Sequence, residues 1–153
     1  MTSDSYRRIL LVVDLSEDSL RIGQRAVTLA TRLGAEIELL HVVEFLPAEP
    51  MAETLATSVH IEDELLEQAR AHLTALAAEL GLAQATCWVQ AGTVKAEIVR
   101  IARKRQADLI VLGSRERHGM SILVNLTEDT VLHAAPCDVL AVRVKRSGSP
   151  AKR

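Results

Sequence analysis

The chain has 153 residues, 48% of them apolar, and a formal net charge of −2. That length suits one domain with a core of ordinary size, and the balanced charge gives no global field to favour DNA or an anionic membrane. Aromatic residues are reduced to Tyr6, Phe45 and Trp88, so the core is aliphatic and the ring platforms that single-stranded nucleic acid stacks on are lacking.

In chain order, "RILLVVDLS" is a short apolar run rich in β-branched residues, the mark of a buried strand, and it stops at Asp14-Leu15-Ser16. "SEDSLRIGQRAVTLATRLG" predicts a helix that opens at Ser16 with acidic residues in its first turn. Leu20, Ala26, Val27, Ala30 and Leu33 form its stripe, and Gly34 ends it. "AEIELLHVVEF" reads as a second strand. Residues 46–58, with two prolines and no sustained period, read as a surface loop. A long amphipathic helix follows from about Val59 to Leu80, with Ile61, Leu65, Leu66, Ala69, Leu73, Leu76 and Leu80 inside and Gly81 beyond its end. "ATCWVQAG" gives a third strand and "VKAEIVRIARKRQ" a third helix, whose basic end, Arg103 to Arg105, complements the helix dipole. "ADLIVLG" is the fourth strand, residues from about Ser121 to Ala134 a fourth helix, and "CDVLAVRV" the fifth strand. Residues 1–145 then form a single domain, and residues 146–153 read as a disordered tail.

Strands alternating with helices imply an α/β fold, an open parallel sheet covered by helices on both faces. In such sheets ligands bind beyond the carboxyl ends of the strands, where the strand order reverses. Those ends are Asp14-Leu15-Ser16, Val42-Val43, Gly92 and Gly113-Ser114. No segment approaches the roughly 20 unbroken apolar residues of a membrane span. "MTSDSYRR" has no apolar signal-peptide core, and Cys87 and Cys137 are two lone thiols, so the expected setting is cytoplasmic.

Four fragments in order, "ILLVVDLSEDS", "LLHVVE", "ADLIVLGSRERHG" and "VLHAAPCDVLAVRV", resemble the universal stress proteins, close to UspA-like members of the proteobacterial type. The resemblance runs from about Tyr6 to Lys145. It implies a three-layer α/β/α sandwich, Rossmann-like and of the adenine nucleotide alpha hydrolase-like kind, with a five-stranded sheet in the order 3-2-1-4-5. It also implies a homodimer commonly made through the last strand, here residues 138–144. An apolar edge strand of that kind invites pairing with a second copy. Some members of the family bind ATP or AMP through G-x-x-G, about nine further residues, and G-S/T; others, UspA among them, lack the motif.

Laid on this sequence, the motif's first glycine is Gly113, its second position is Glu116, and the later Gly-Ser/Thr step falls at Asn125-Leu126, one residue short of the strict spacing. Thr127 follows and offers a hydroxyl, and Gly119 matches a G-R-H-G variant through Arg117-His118-Gly119. Glycine lets a main chain approach a phosphate closely. Glu116 places a side chain and a negative charge there instead. At ~4 Å and an effective dielectric near 20, such a pair repels by about 4 kcal/mol. Leu126 cannot replace a hydroxyl on a phosphate oxygen. Arg115, Arg117 and His118 pull the other way as phosphate partners, or they simply solvate an exposed loop.

The nucleotide-site candidates implied by the resemblance are Asp14, near adenine and ribose; Val42, whose backbone would meet adenine; and Gly113, Arg115, Gly119 and Thr127 around the phosphates. Asp14 has a second reading as a helix cap, and Ser16 reads as one. His41 reads as a satisfied, half-buried histidine, and His60 and His72 as water-facing. Cys87 and Cys137 read as small buried hydrophobes. His118, His133 and Cys137 fit no metal-ligand spacing. "RIARKRQ" ends a helix and serves its dipole better than it serves DNA. No nucleophile elbow and no acid–base pair of carboxylates marks a catalytic centre. The expectation is therefore a non-enzymatic, cytoplasmic, dimeric stress-response protein with a degenerate nucleotide loop and no required cofactor, metal, nucleic acid or membrane. The alternative is an ATP- or AMP-binding sensor, and a slow ATPase or autophosphorylating protein is the weakest reading.

Overall fold

The computed structural model describes residues 4–44, 55–115 and 131–144. Five strands, β1 (Arg8–Val12), β2 (Glu36–Val43), β3 (Cys87–Ala91), β4 (Leu109–Arg115) and β5 (Asp138–Val144), form one sheet in the order β3-β2-β1-β4-β5. All pairs are parallel, with Arg8 opposite Glu36, Ile9 opposite Leu109, Leu39 opposite Cys87, and Leu109 opposite Asp138. The expected sheet and order are therefore observed. Helices α1 (Ser19–Leu33), α2 (Leu55–Glu79) and α3 (Val94–Lys104) connect the strands, and residues 131–134 are helical before β5.

The apolar runs segregate by the two-residue period of the strands. Ile9, Leu11, Val13, Leu39, Val89, Leu109 and Val111 face α1 and α2, packed on Ala26, Ala30, Leu73 and Leu80. Leu10, Leu40, Val42, Ile110 and Leu112 face Ile98, Ile101 and Ala102 of α3, together with Val131. Side chains such as Leu39 and Leu40 are completely buried, each contributing about 1.5–3 kcal/mol relative to exposure.

Several boundaries move. The first helix begins at Ser19, not Ser16; Asp18 takes the N-cap position without a side-chain capping bond, and the first turn has no acidic residue. Its buried stripe is Ser19, Ile22, Gly23, Ala26 and Ala30, whereas Leu20, Val27 and Leu33 are half-buried. The reason is the close approach of α2: a Cβ on Gly23 would lie within 3.3 Å of three Leu80 atoms, so the glycine sits in the contact itself. Gly34 ends the helix as expected, at φ 64°.

Helix α2 starts at Leu55, taking residues 55–58 out of the expected loop; residues 46–54 lie outside the described residues. Ile61 and Leu65 are exposed rather than inside. The burial stripe runs instead through Leu66, Ala69, Leu73, Leu76, Ala77 and Leu80, because α2 is longer than the strands it covers and only its second half lies over them. Residues 121–130 of the expected fourth helix and the 146–153 tail lie outside the described residues.

The amino end of the sheet is held by polar contacts. Asp108 accepts from the Arg7 and Arg8 amides at 2.8 and 3.0 Å, and the Tyr6 hydroxyl donates to Asp138 at 2.8 Å, tying the start of the chain to the edge strand β5. That bond to Asp138, with burial and the nearby carboxylates, raises the Tyr6 phenol above its usual range. Arg105, from the basic end of α3, makes a two-nitrogen contact with Glu38 at 2.7–3.1 Å and lies 5.3 Å over the Trp88 ring, with Lys104 at 5.1 Å. The Trp88 indole N–H donates to the same carboxylate at 2.8 Å. The "RIARKRQ" run is thus engaged in fixing α3 to β2 and β3.

Burial pushes the Glu38 carboxyl up, but the Arg105 guanidinium and the Trp88 N–H outweigh it and hold the group below the usual carboxylate range. A depressed pKa stabilises the fold above the unfolded value of ~4.3, and the gain is lost as pH falls through the lower folded value. Glu38→Gln is therefore expected to lose about 1 kcal/mol at neutral pH. Urea titrations should show the gap to the native chain closing below pH 4; a gap that persisted into acid would contradict this origin.

Candidate functional site

The strand ends define a notch. On one side β1 pairs with β2 only as far as Val12 and Leu40, while β2 runs on through His41, Val42 and Val43. On the other side the last pair is Leu11 with Val111, while β4 continues through Leu112, Gly113, Ser114 and Arg115. At about 3.3 Å per residue, β2 and β4 each overhang the end of β1 by three residues, roughly 10 Å. The notch lies at the carboxyl ends of the strands, above β1, where the chain order reverses, as such folds dictate.

The floor is Val13-Asp14-Leu15. The Val13 amide donates to Leu40 O at 3.0 Å, but its carbonyl accepts from His41 Nδ1 at 2.8 Å. Because a carbonyl can only accept, His41 carries its proton on Nδ1. His41 is half-buried and satisfied, as its sequence context suggests. Leu15 then turns through φ 60°, a left-handed conformation that costs a leucine about 1–2 kcal/mol. Asp14 holds that turn: its Oδ1 accepts from the Ser16 amide at 3.0 Å and from the Ser19 hydroxyl at 3.2 Å. Ser19 is 2% exposed, the one buried polar residue among those described. Sequence reasoning missed it, since a serine at the start of a helix signals only a cap. Asp14 and Ser16 do stabilise the entry to α1, but as a turn before it and not as its N-cap.

Val42 lies beside this floor with its side chain buried at 8% exposure, facing α3. Its main chain matters more. Main-chain groups of successive strand residues point alternately to the two neighbouring strands. Leu39 N and Val43 O bond toward the β3 side and Leu40 O toward β1. Val42 therefore directs its N–H and C=O toward β1, above the last paired residue.

Gly113 lies in β4 as expected, and the strand runs on past it: Gly113, Ser114 and Arg115 pair with Val142, Arg143 and Val144. Gly113 is not among the glycines with positive φ. A Cβ there would collide with Ile22 Cδ1 and come within 3.2 Å of its Cγ1. A side chain there would have to displace the end of Ile22 of α1. Arg115 contributes its main chain to β4, and its side chain lies outside the description, as do Gly119 and Thr127 together with Glu116, Arg117, His118, Asn125 and Leu126.

The remaining reactive groups are muted. Cys87 and Cys137 are half-buried rather than buried. Burial raises the Cys87 thiol, and burial, with Asp108 and Asp138 nearby, pushes Cys137 up to about 11. Both stay protonated at neutral pH and are poor nucleophiles. His60 and His72 are exposed on α2. Among the described residues, no three histidine, cysteine or acidic side chains converge as metal ligands, and no helix is long and apolar enough to cross a membrane.

If Gly113 serves packing, Gly113→Ala should cost about 1–3 kcal/mol by overfilling the α1–β4 contact. Ile22→Val, which removes the colliding methyl, should restore most of that loss in the double variant. Thermal unfolding of the three variants checks this, and strict additivity would disprove it.

Comparison with known proteins agrees with this geometry. The model of the universal stress protein family matches residues 5–143. Universal stress protein A homolog 2 of Coxiella burnetii is 37% identical over 145 residues, 94% of this chain and 99% of that protein. Universal stress protein UspA from Lactobacillus plantarum superposes with a TM-score of 0.69 at 25% identity, covering 92% of this chain and 100% of its own. A universal stress protein solved in complex with cAMP shares the fold, with a TM-score of 0.61 at 20% identity over 91% of this chain and 98% of its own. With its sheet order, its notch and its sequence in agreement, the chain belongs to the universal stress protein family.

Proposed function

We propose that this chain is a non-enzymatic, cytoplasmic stress-response protein of the UspA-like type, a homodimer whose crevice binds adenine nucleotides weakly or not at all. The observation that supports this reading most is Gly113. It is the first glycine of the family's nucleotide motif, yet it lies within β4 with Ile22 of α1 against it. Helix packing is thus a second reason for a glycine here, so its presence alone does not argue for a phosphate. The remaining motif positions are Glu116, Asn125 and Leu126, which bring a charge and an apolar side chain where the nucleotide-binding relatives use glycine and a hydroxyl.

A nucleotide-dependent sensor is the second reading. It is supported by the Val42 main-chain edge, a donor and an acceptor side by side at the notch, and by the Asp14 carboxylate on the floor. The fold neighbour solved with cAMP adds that nucleotide to ATP and AMP as ligands to titrate. Isothermal calorimetry with ATP, AMP and cAMP, with and without magnesium, separates the two. The proposal expects dissociation constants weaker than micromolar, and a submicromolar constant reverses it. Glu116→Gly combined with Asn125→Gly and Leu126→Ser should strengthen ATP binding tenfold or more if the loop alone is the obstacle.

Dimerisation through residues 138–144 has its support in the position of β5. It is an edge strand, and Leu140 on it and Leu132 just before it are 40% and 57% exposed. Antiparallel pairing of two β5 edges across a two-fold axis would cover both. Light scattering at micromolar concentration should give twice the chain mass, and Leu140→Lys should weaken association at least tenfold. A monomer throughout would reject this interface.

A further inference from the structure

We propose that His41 is a positioning residue for the notch: its imidazole holds the Val13 carbonyl out of the β1–β2 ladder and so keeps the Val42 main-chain edge available to a ligand. The inference rests on the second reading above, in which the Val42 edge binds a nucleotide, but its mechanism is a property of the strands alone.

In a parallel ladder, a residue whose amide donates to residue j−1 of its neighbour offers its carbonyl to the amide of residue j+1. Val13 makes the first of these bonds, to Leu40 O at 3.0 Å. The ladder partner of its carbonyl would be the Val42 amide. That carbonyl is instead 2.8 Å from His41 Nδ1, and the β1–β2 register ends one residue earlier, at Val12 and Leu40. His41 stands on the same sheet face as Leu39 and Val43, so reaching it requires the Val13 carbonyl to tilt out of the sheet toward α1 and α2. The tilt delivers the chain into the Asp14–Leu15 turn, with Leu15 at φ 60°. One imidazole thus stops the strand pairing, starts the turn and leaves the neighbouring amide of Val42 facing the notch.

On that second reading the edge, an N–H and a C=O on one residue beside Val12, Val42 and Leu112, meets the adenine ring that the family resemblance places there. The specific role assigned to His41 is to hold this edge in place, without touching the heterocycle.

Amide hydrogen exchange followed by NMR tests the mechanism without any ligand. In the native chain, the Val42 amide should exchange at least tenfold faster than that of Leu40, which remains in the ladder. His41→Leu should let Val13 pair with Val42 and slow Val42 exchange tenfold or more. His41→Asn, whose amide nitrogen can stand near the place of Nδ1, should keep Val42 fast. Slow Val42 exchange in the native chain, or equal behaviour of the Leu and Asn variants, would overturn the proposal. Should His41→Leu not fold, the ¹⁵N shifts of the native imidazole decide: a proton on Nδ1 is required, and one on Nε2 alone would refute the bond. Binding is read separately, by calorimetric titration of AMP. Faster Val42 exchange with no AMP binding would refute the ligand reading while leaving the His41 mechanism standing.

Discussion

The crevice depends on how β1 leaves the sheet, with the Val13 amide still donating to Leu40 while the Val13 carbonyl turns to the His41 imidazole. From Ile9 to Leu11 the strand is buried on both faces and paired on both sides, with Leu10 and Leu11 at 1% and 0% exposure. Past Val13 the chain must reverse toward α1 within a few residues, and no glycine is available to do so. A leucine takes the left-handed position, and Asp14 compensates by binding both the Ser16 amide and the buried Ser19 hydroxyl. The strain is local and sits where the fold class places its ligands.

The walls of the notch follow from the same constraint. Because β1 ends early, its neighbours overhang it and are held straight by their outer partners, β3 for β2 and β5 for β4. The β4 wall is set further by α1, which lies so close that a side chain at Gly113 would meet Ile22, just as one at Gly23 would meet Leu80. Two glycines in this chain therefore lie where a side chain would press on a packed neighbour. That use of glycine is indistinguishable, in a sequence, from its use beneath a phosphate. The opposite end of the sheet is pinned by different chemistry: the Glu38, Arg105 and Trp88 cluster on one side, and the Asp108 and Tyr6–Asp138 contacts on the other.

The described crevice holds one carboxylate, already engaged by two donors, and an imidazole whose Nδ1 is committed to a carbonyl. The two thiols stand away from it with their protons held. Main-chain groups, which recognise without reacting, make up much of what is offered.

The sequence by itself determined the strands, their aliphatic character, the helix ends at Gly34 and Gly81, and the placing of Asp14 and Val42 at strand ends. These follow from periodicity and backbone sterics, which act locally. The sheet order came with the family resemblance and not from any one segment. Only the tertiary structure decided which stripe of each helix is buried, since Ile22 displaces Leu20, and Ile61 and Leu65 fall beyond the sheet that would have covered them. It alone showed that β4 continues through Arg115, because the pairing partners that extend it lie about 30 residues away, in β5. The role of Ser19 and the carbonyl held by His41 were equally invisible, for a hydrogen bond between residues 28 positions apart leaves no period to read. Local propensity fixes where strands and helices form; the faces they bury and the polar groups they leave at the notch are set by neighbours that only folding brings near.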